Sequence, residues 1–164
     1  MMKSTQPLRP RPRYVVSACL CGQAVRYDGA SCLDSEWAKR AEQGVVLPVC
    51  PECMGGLPTP RPPAECQPDG RILNREGEDC TAAYRRGAEQ VLELCRARGI
   101  TRAVLKENSP SCGSCRIYDG SFSGRKIPGE GVTARLLREH GIAVYSEETW
   151  PGDETIQAAE REDD

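Results

Sequence analysis

The chain has 164 residues, 38% of them hydrophobic and 28% charged, with a formal net charge of −2. That is one domain's worth of sequence, enough for a modest core behind a single sheet and too little for two separate ones. The near balance of charge excludes a global field that would recruit long nucleic acid or anionic lipid, so any anion site must be local.

Residues 1–13 are polar and rich in proline and arginine, with no apolar stretch to serve as a signal-peptide core. They are expected to form a disordered arm. No run of eighteen apolar residues occurs, so no membrane span is expected, and the chain reads as cytoplasmic. Tyr14-Val15-Val16-Ser17 is a first short strand. Three times thereafter a charged, helix-like stretch ends at a glycine and an apolar run follows, the pattern of a helix-to-strand connection. Ser35 to Gln43 leads through Gly44 into Val45–Val49, where Pro48 removes a ladder donor and favours an edge position. Tyr84, Ala88, Val91, Leu92 and Cys95 fall at steps of three and four, a helix stripe that leads through Gly99 into Ala103–Leu105. Val132, Leu136 and Leu137 precede Gly141 and a last strand over Ile142–Tyr145. Four strands separated by helices imply an α/β fold, a three-layer sandwich around a small, mostly parallel sheet, spanning residues 14–150 as a single domain. Between Gly55 and Asp79 proline, glycine and polar residues dominate, which predicts an ordered excursion over the carboxyl edge of the sheet. Residues 151–164 form an acidic tail.

Ten cysteines in a chain of this kind are read as free thiols rather than a secreted disulfide framework. Cys19 follows the first strand, Cys50 ends the second, and Cys112 lies a short loop after the third. Carboxyl ends of parallel strands form the ligand crevice of open sheets, so these three thiols can converge on one point. Each has a neighbour, Cys21, Cys53 and Cys115 respectively, whereas Cys32, Cys66, Cys80 and Cys95 fall in helices or loops and read as incidental. The pairs leave rival readings open: a zinc site of two CxxC pairs, though Cys53 and Cys115 are far apart for a zinc ribbon, or a thioredoxin-like redox motif. The wider alternative to an enzyme is a non-catalytic metal-binding module, either a zinc-stabilised domain or an iron–sulfur electron carrier.

The surroundings of the cysteines carry more information. Val16-Ser17-Ala18-Cys19-Leu20 with Arg26-Tyr27-Asp28-Gly29, Pro48-Val49-Cys50-Pro51-Glu52 with Gly55-Gly56-Leu57 and Pro60-Arg61, Leu105-Lys106 with Ser109-Pro110-Ser111-Cys112-Gly113, Tyr118-Asp119-Gly120 with Phe122-Ser123-Gly124, and Gly129-Glu130-Gly131-Val132-Thr133-Ala134 follow one another in order. This series, over roughly residues 14–148, resembles a bacterial family long known only as a domain of unknown function, whose characterised members are thiouracil desulfidases. The resemblance implies a [4Fe–4S] cluster bound by Cys19, Cys50 and Cys112, with one iron left open for substrate sulfur. It further implies Glu52 as the base that accepts a proton from water, and a water-positioning serine, Ser109 with Ser111 as second choice. Cys21, Cys53 and Cys115 depart from the family pattern.

The implied reaction is a non-redox removal of sulfur from a thiolated pyrimidine, thiouracil or its nucleotide, giving the oxo-pyrimidine and hydrogen sulfide. The expected partners are that small molecule and the iron–sulfur assembly machinery, with no membrane; the residues leave the substrate open between a free base, a nucleotide and a modified RNA, the absence of a basic stripe weighing against long RNA. Substrate contacts are less determined by the residues. Gly129, Gly131 and Thr133 precede a helix whose free amides could hold a phosphate or a pyrimidine carbonyl. Arg26, Arg61 and Lys106 lie near strand ends and could neutralise a phosphate, although exposed cations are commonly only solvated surface. The single histidine, His140, sits at a helix end and reads as structural.

Overall fold

The computed structural model describes residues 12–31 and 34–152. Almost all of the expected arm and acidic tail, together with Cys32, lie outside them. Eight strands and four helices follow in the order β1 (Tyr14–Ser17), α1 (Ser35–Glu42), β2 (Val46–Val49), α2 (Pro51–Met54), β3 (Ala64–Cys66), β4 (Ile72–Asn74), α3 (Thr81–Arg98), β5 (Arg102–Leu105), β6 (Arg116–Tyr118), β7 (Lys126–Pro128), α4 (Val132–Glu139) and β8 (Ala143–Ser146). No described helix is long and apolar enough to cross a membrane.

The main sheet has the order β2-β1-β5-β8, with all three pairings parallel. Alternation along its strands divides the core into two faces. Val15, Ala103 and Leu105 pack with Val91, Leu92 and Cys95 of α3 and Leu137 of α4. Tyr14, Val16 and Val104 pack instead with Trp37 of α1. Helices therefore cover both faces, and the expected three-layer α/β sandwich is what forms. Pro48 lies on β2, an edge strand, where a missing amide donor is tolerated.

Each helix shows its local cause. Asp34 caps α1 by accepting from the Glu36 amide at 3.0 Å. Gly99 closes α3 at φ 65°, the left-handed conformation that ends a helix with least strain. The chain runs from β1 outward to β2, then returns past β1 to β5, so the order reverses between β1 and β5. Ligand crevices in open α/β sheets form at this kind of reversal.

Two small antiparallel hairpins, β3–β4 and β6–β7, stand outside the main sheet. The first lies in the expected excursion over residues 55–79. They are tied together where Gln67 Nε2 donates to the Gly120 carbonyl at 3.1 Å and Glu65 accepts from the Gly120 and Phe122 amides at 3.0 and 3.1 Å.

The short helix α2 is keyed to α3 through two glycines. A Cβ on Gly87 would stand 1.8 Å from the Pro51 carbonyl oxygen, and one on Gly55 would stand 2.0 Å from that of Ala83. Arg86 adds donations of 2.9 and 3.1 Å to the Gly55 carbonyl. Gly87→Ala is expected to force α2 off α3, costing about 1–3 kcal/mol as overpacking does. Thermal unfolding would measure the loss; an unchanged midpoint would show that α2 can shift freely.

Candidate active site

A cavity of about 490 Å³ opens at the carboxyl ends of β1, β2 and β5. Cys19, Cys50 and Cys112 all line it. Cys19 sits in the turn after β1, where the Ala18 amide donates to the Val49 carbonyl at 2.7 Å. Cys50 is the N-cap of α2, which Pro51 starts. Cys112 lies in the loop after β5 and is 6% exposed. Among the described residues no three His, Cys, Asp or Glu side chains are gathered to hold a single metal ion. The three thiols share the wall of one cavity without forming such a group.

Burial pushes the Cys50 thiol up to about 11. Burial, followed by the Glu52 charge, raises Cys112 well above the ordinary thiol range. Buried thiols of this kind become thiolates when a metal takes the place of the proton. Three sulfur donors from three strand ends, facing one cavity, suit a thiophilic iron–sulfur cluster. Cys21, Cys53 and Cys115 do not line the cavity.

Glu52 reaches the cavity from the first turn of α2. Arg61 Nε donates to Glu52 Oε2 at 2.8 Å, and Arg61 Nη2 makes a second, closer contact with the same oxygen. The guanidinium is fixed in turn by the carbonyls of Val25 at 3.1 Å and Pro58 at 3.2 Å and by the Thr59 hydroxyl at 3.1 Å. Burial works against its charge, but the Glu52 carboxylate more than compensates, and Arg61 is held above its ordinary value. Arg61 is thus Glu52's anchor.

The other carboxylate oxygen, Glu52 Oε1, accepts from Ser109 Oγ at 3.3 Å. Ser109 Oγ itself accepts from the Ser111 and Cys112 amides, both at 3.1 Å. One hydroxyl therefore links the carboxylate to the loop that carries a thiol. Ser111 is placed differently: it is wholly buried, and its hydroxyl pairs with that of Thr133 at 2.7 Å. Neither Ser111, Thr133, Gly129 nor Gly131 lines the cavity. Gly131 is where α4 approaches the loop, since a Cβ there would stand 2.4 Å from the Ser111 backbone.

Lys106 and Arg26 line the cavity, but the Lys106 ammonium is engaged by Glu147 Oε1 at 2.7 Å. Arg26 lies over the Tyr27 ring at 5.7 Å. His140 is remote from the cavity and contacts the Leu136 carbonyl through Nδ1 at 2.9 Å. The sequence reading missed Arg75, Glu65, Tyr84, Tyr118 and Phe122 in the cavity wall. No spacing signal marks them, because the small hairpins and a helix flank deliver them.

Glu107 was also missed, though it stands beside Lys106. It is 2% exposed and accepts from the Ser114, Cys115 and Arg116 amides at 3.0, 2.9 and 2.9 Å and from the Ser114 hydroxyl at 3.0 Å. Burial opposes its charge, but these donors prevail and hold its carboxyl below the usual range. The stability it contributes is therefore present above the unfolded carboxyl's range and is lost as pH falls through the folded one. Glu107→Gln should destabilise the protein by about 1–3 kcal/mol, as weakened charge-assisted hydrogen bonds do. The difference from the parent should shrink in acid unfolding curves; a gap independent of pH would assign the loss to packing.

The fold and cavity define an α/β protein with a three-thiol centre at its strand ends. The model of the 2-thiouracil desulfurase family matches residues 14–149, and the chain belongs to that family. The solved structure of a [4Fe–4S]-dependent thiouracil desulfidase, TudS, is 50% identical and superimposes with a TM-score of 0.83, covering 92% of this chain and 99% of that one. A Bacillus subtilis (strain 168) protein, YbbK, described only as uncharacterized, is 41% identical over 142 residues, 81% of this chain and 94% of the relative.

Proposed function

We propose that the protein is a [4Fe–4S]-dependent thiouracil desulfidase that hydrolyses a thiocarbonyl to a carbonyl and hydrogen sulfide without net redox change. The observation that carries this reading is the Ser109–Glu52 hydrogen bond inside the cavity that three cysteines share. An electron carrier needs neither a base nor room for a substrate.

Cys19, Cys50 and Cys112 would hold the cluster, leaving one iron without a protein ligand. When bound, the cluster supplies a thiophilic Lewis acid that polarises the carbon–sulfur bond. Arg61 fixes one Glu52 oxygen and leaves the other at Ser109. A water that enters between Ser109 Oγ and Glu52 Oε1, replacing their 3.3 Å hydrogen bond, can pass its proton to Glu52 as its oxygen adds to the thiocarbonyl carbon. Collapse of that adduct to the carbonyl would break the carbon–sulfur bond, and the sulfur would leave as hydrogen sulfide with the protons that the water supplied. Burial of Arg61 and Glu52 keeps this relay in a fixed orientation.

A thiolated nucleotide fits the cavity mouth better than a free base. Arg26 and Arg75 line it, and among the described residues neither has a carboxylate partner, so both can meet a phosphate. Gly131 and Thr133 would act from behind the loop, through α4. The cluster would come from iron–sulfur assembly machinery in the cytoplasm, whose reducing conditions keep thiols available.

Anaerobic reconstitution followed by assay of sulfide release from 2-thiouracil, 4-thiouracil and their nucleotides tests the reading. A brown protein that releases sulfide is expected, with the nucleotides showing the lower KM. A reconstituted cluster protein inert towards every thiolated pyrimidine would favour the electron carrier.

A further inference from the structure

Tyr84 stands on α3 with 3% of its surface exposed, and it lines the cavity. It also borders a smaller cavity of about 180 Å³ behind Arg61. Among the described residues its hydroxyl has no hydrogen-bond partner, yet it is not one of the sealed, unsatisfied polar atoms. What little surface the residue retains therefore includes that oxygen, facing cavity space. A phenol buried to this depth ordinarily has an acceptor. Glu52, Arg61 and Cys112, the proposed base, its anchor and a proposed cluster ligand, line the same cavity. Burial, its largest influence, keeps the phenol protonated. It is a fixed donor without an acceptor.

We propose that Tyr84 is a further catalytic residue, whose hydroxyl donates a hydrogen bond to the exocyclic oxygen that the pyrimidine retains through the reaction. The inference rests on the desulfidase reading and adds a contact to it. In thiouracil the N3 lone pair is shared between the thiocarbonyl and the retained carbonyl. A hydrogen bond to the retained oxygen draws that pair away from the thiocarbonyl, whose carbon becomes more electrophilic towards water. N3 lies between both ring carbons, so the argument applies to 2-thiouracil and 4-thiouracil alike. No proton or electron leaves Tyr84 in this role.

The test is Tyr84→Phe in the reconstituted enzyme. The ring keeps its packing and no protein partner is orphaned, so the unfolding temperature and the cluster absorbance should not fall. With 4-thiouracil, kcat/KM should drop about 10–100-fold, in the range seen when one preorganised donor is removed from a buried site. With 2,4-dithiouracil the drop should be markedly smaller, because the retained atom is then sulfur, a weaker acceptor. Equal losses with both substrates, or no loss with 4-thiouracil, would overturn the proposal. Should the parent enzyme release no sulfide from either, the desulfidase reading fails, and uracil affinity measured by calorimetry decides the contact separately. Weaker uracil binding by Tyr84→Phe supports the donor; equal binding, or none by either protein, removes it.

Discussion

Cys112→Ser is expected to reduce cluster content to background, measured as iron and acid-labile sulfide per chain after anaerobic reconstitution. Cys112 is nearly enclosed at the cavity wall, and its sequence neighbour Cys115 is exposed with its amide bound to Glu107. That bond pins the Cys115 backbone in place, and the residue does not line the cavity. Cys50 differs, because Cys53 lies within side-chain hydrogen-bonding reach of it, so Cys50→Ser could be partly rescued. Replacing Cys21, Cys53 and Cys115 together by serine should leave the cluster spectrum and most turnover intact, since none of them lines the cavity. Loss of the cluster in that triple variant would instead indicate a four-thiolate site, closed to substrate.

Glu52→Gln is expected to load its cluster normally and to lose about 10²–10⁴-fold in kcat, the usual contribution of a general base. The amide preserves the shape beside Arg61 and can no longer accept a proton from water. Ser109→Ala should also lower kcat, because it removes the hydroxyl that positions the water against Glu52 Oε1. Ser111→Ala should act mainly on stability, through its lost partner Thr133. Single-turnover sulfide release, compared with cluster absorbance in the same samples, separates these effects. Parental rates in Glu52→Gln would remove the carboxylate from the mechanism.

The main sheet was legible because three of its four strands, β2, β5 and β8, each follow a helix-like stretch and a stop glycine, two signals that agree. The hairpins were not: β3, β4, β6 and β7 have three residues each, too few for an alternation to register. That Cys19, Cys50 and Cys112 share one cavity wall followed from their places at strand ends, whereas the pairing of Glu52 with Ser109, 57 residues apart, came only through family resemblance. Residue type also hides direction. Ser109 and Ser111 are alike as letters, yet one hydroxyl turns to the cavity and the other to Thr133. Arg61 reads as a free cation until the fold lays Glu52 against it.

The division of labour between sheet and hairpins has an evolutionary consequence. The three thiols hang from β1, β2 and β5, while Glu65, Arg75, Tyr118 and Phe122 reach the cavity from the two hairpins and their flanks. The proposed cluster ligands and much of the cavity wall thus occupy separate stretches of chain. Mutations in the hairpins can alter which thiolated ring is accepted while the strand ends proposed to hold the cluster stay unchanged. Descendants of this scaffold can therefore diverge in specificity by drift in two short loops, with the desulfurating centre inherited intact.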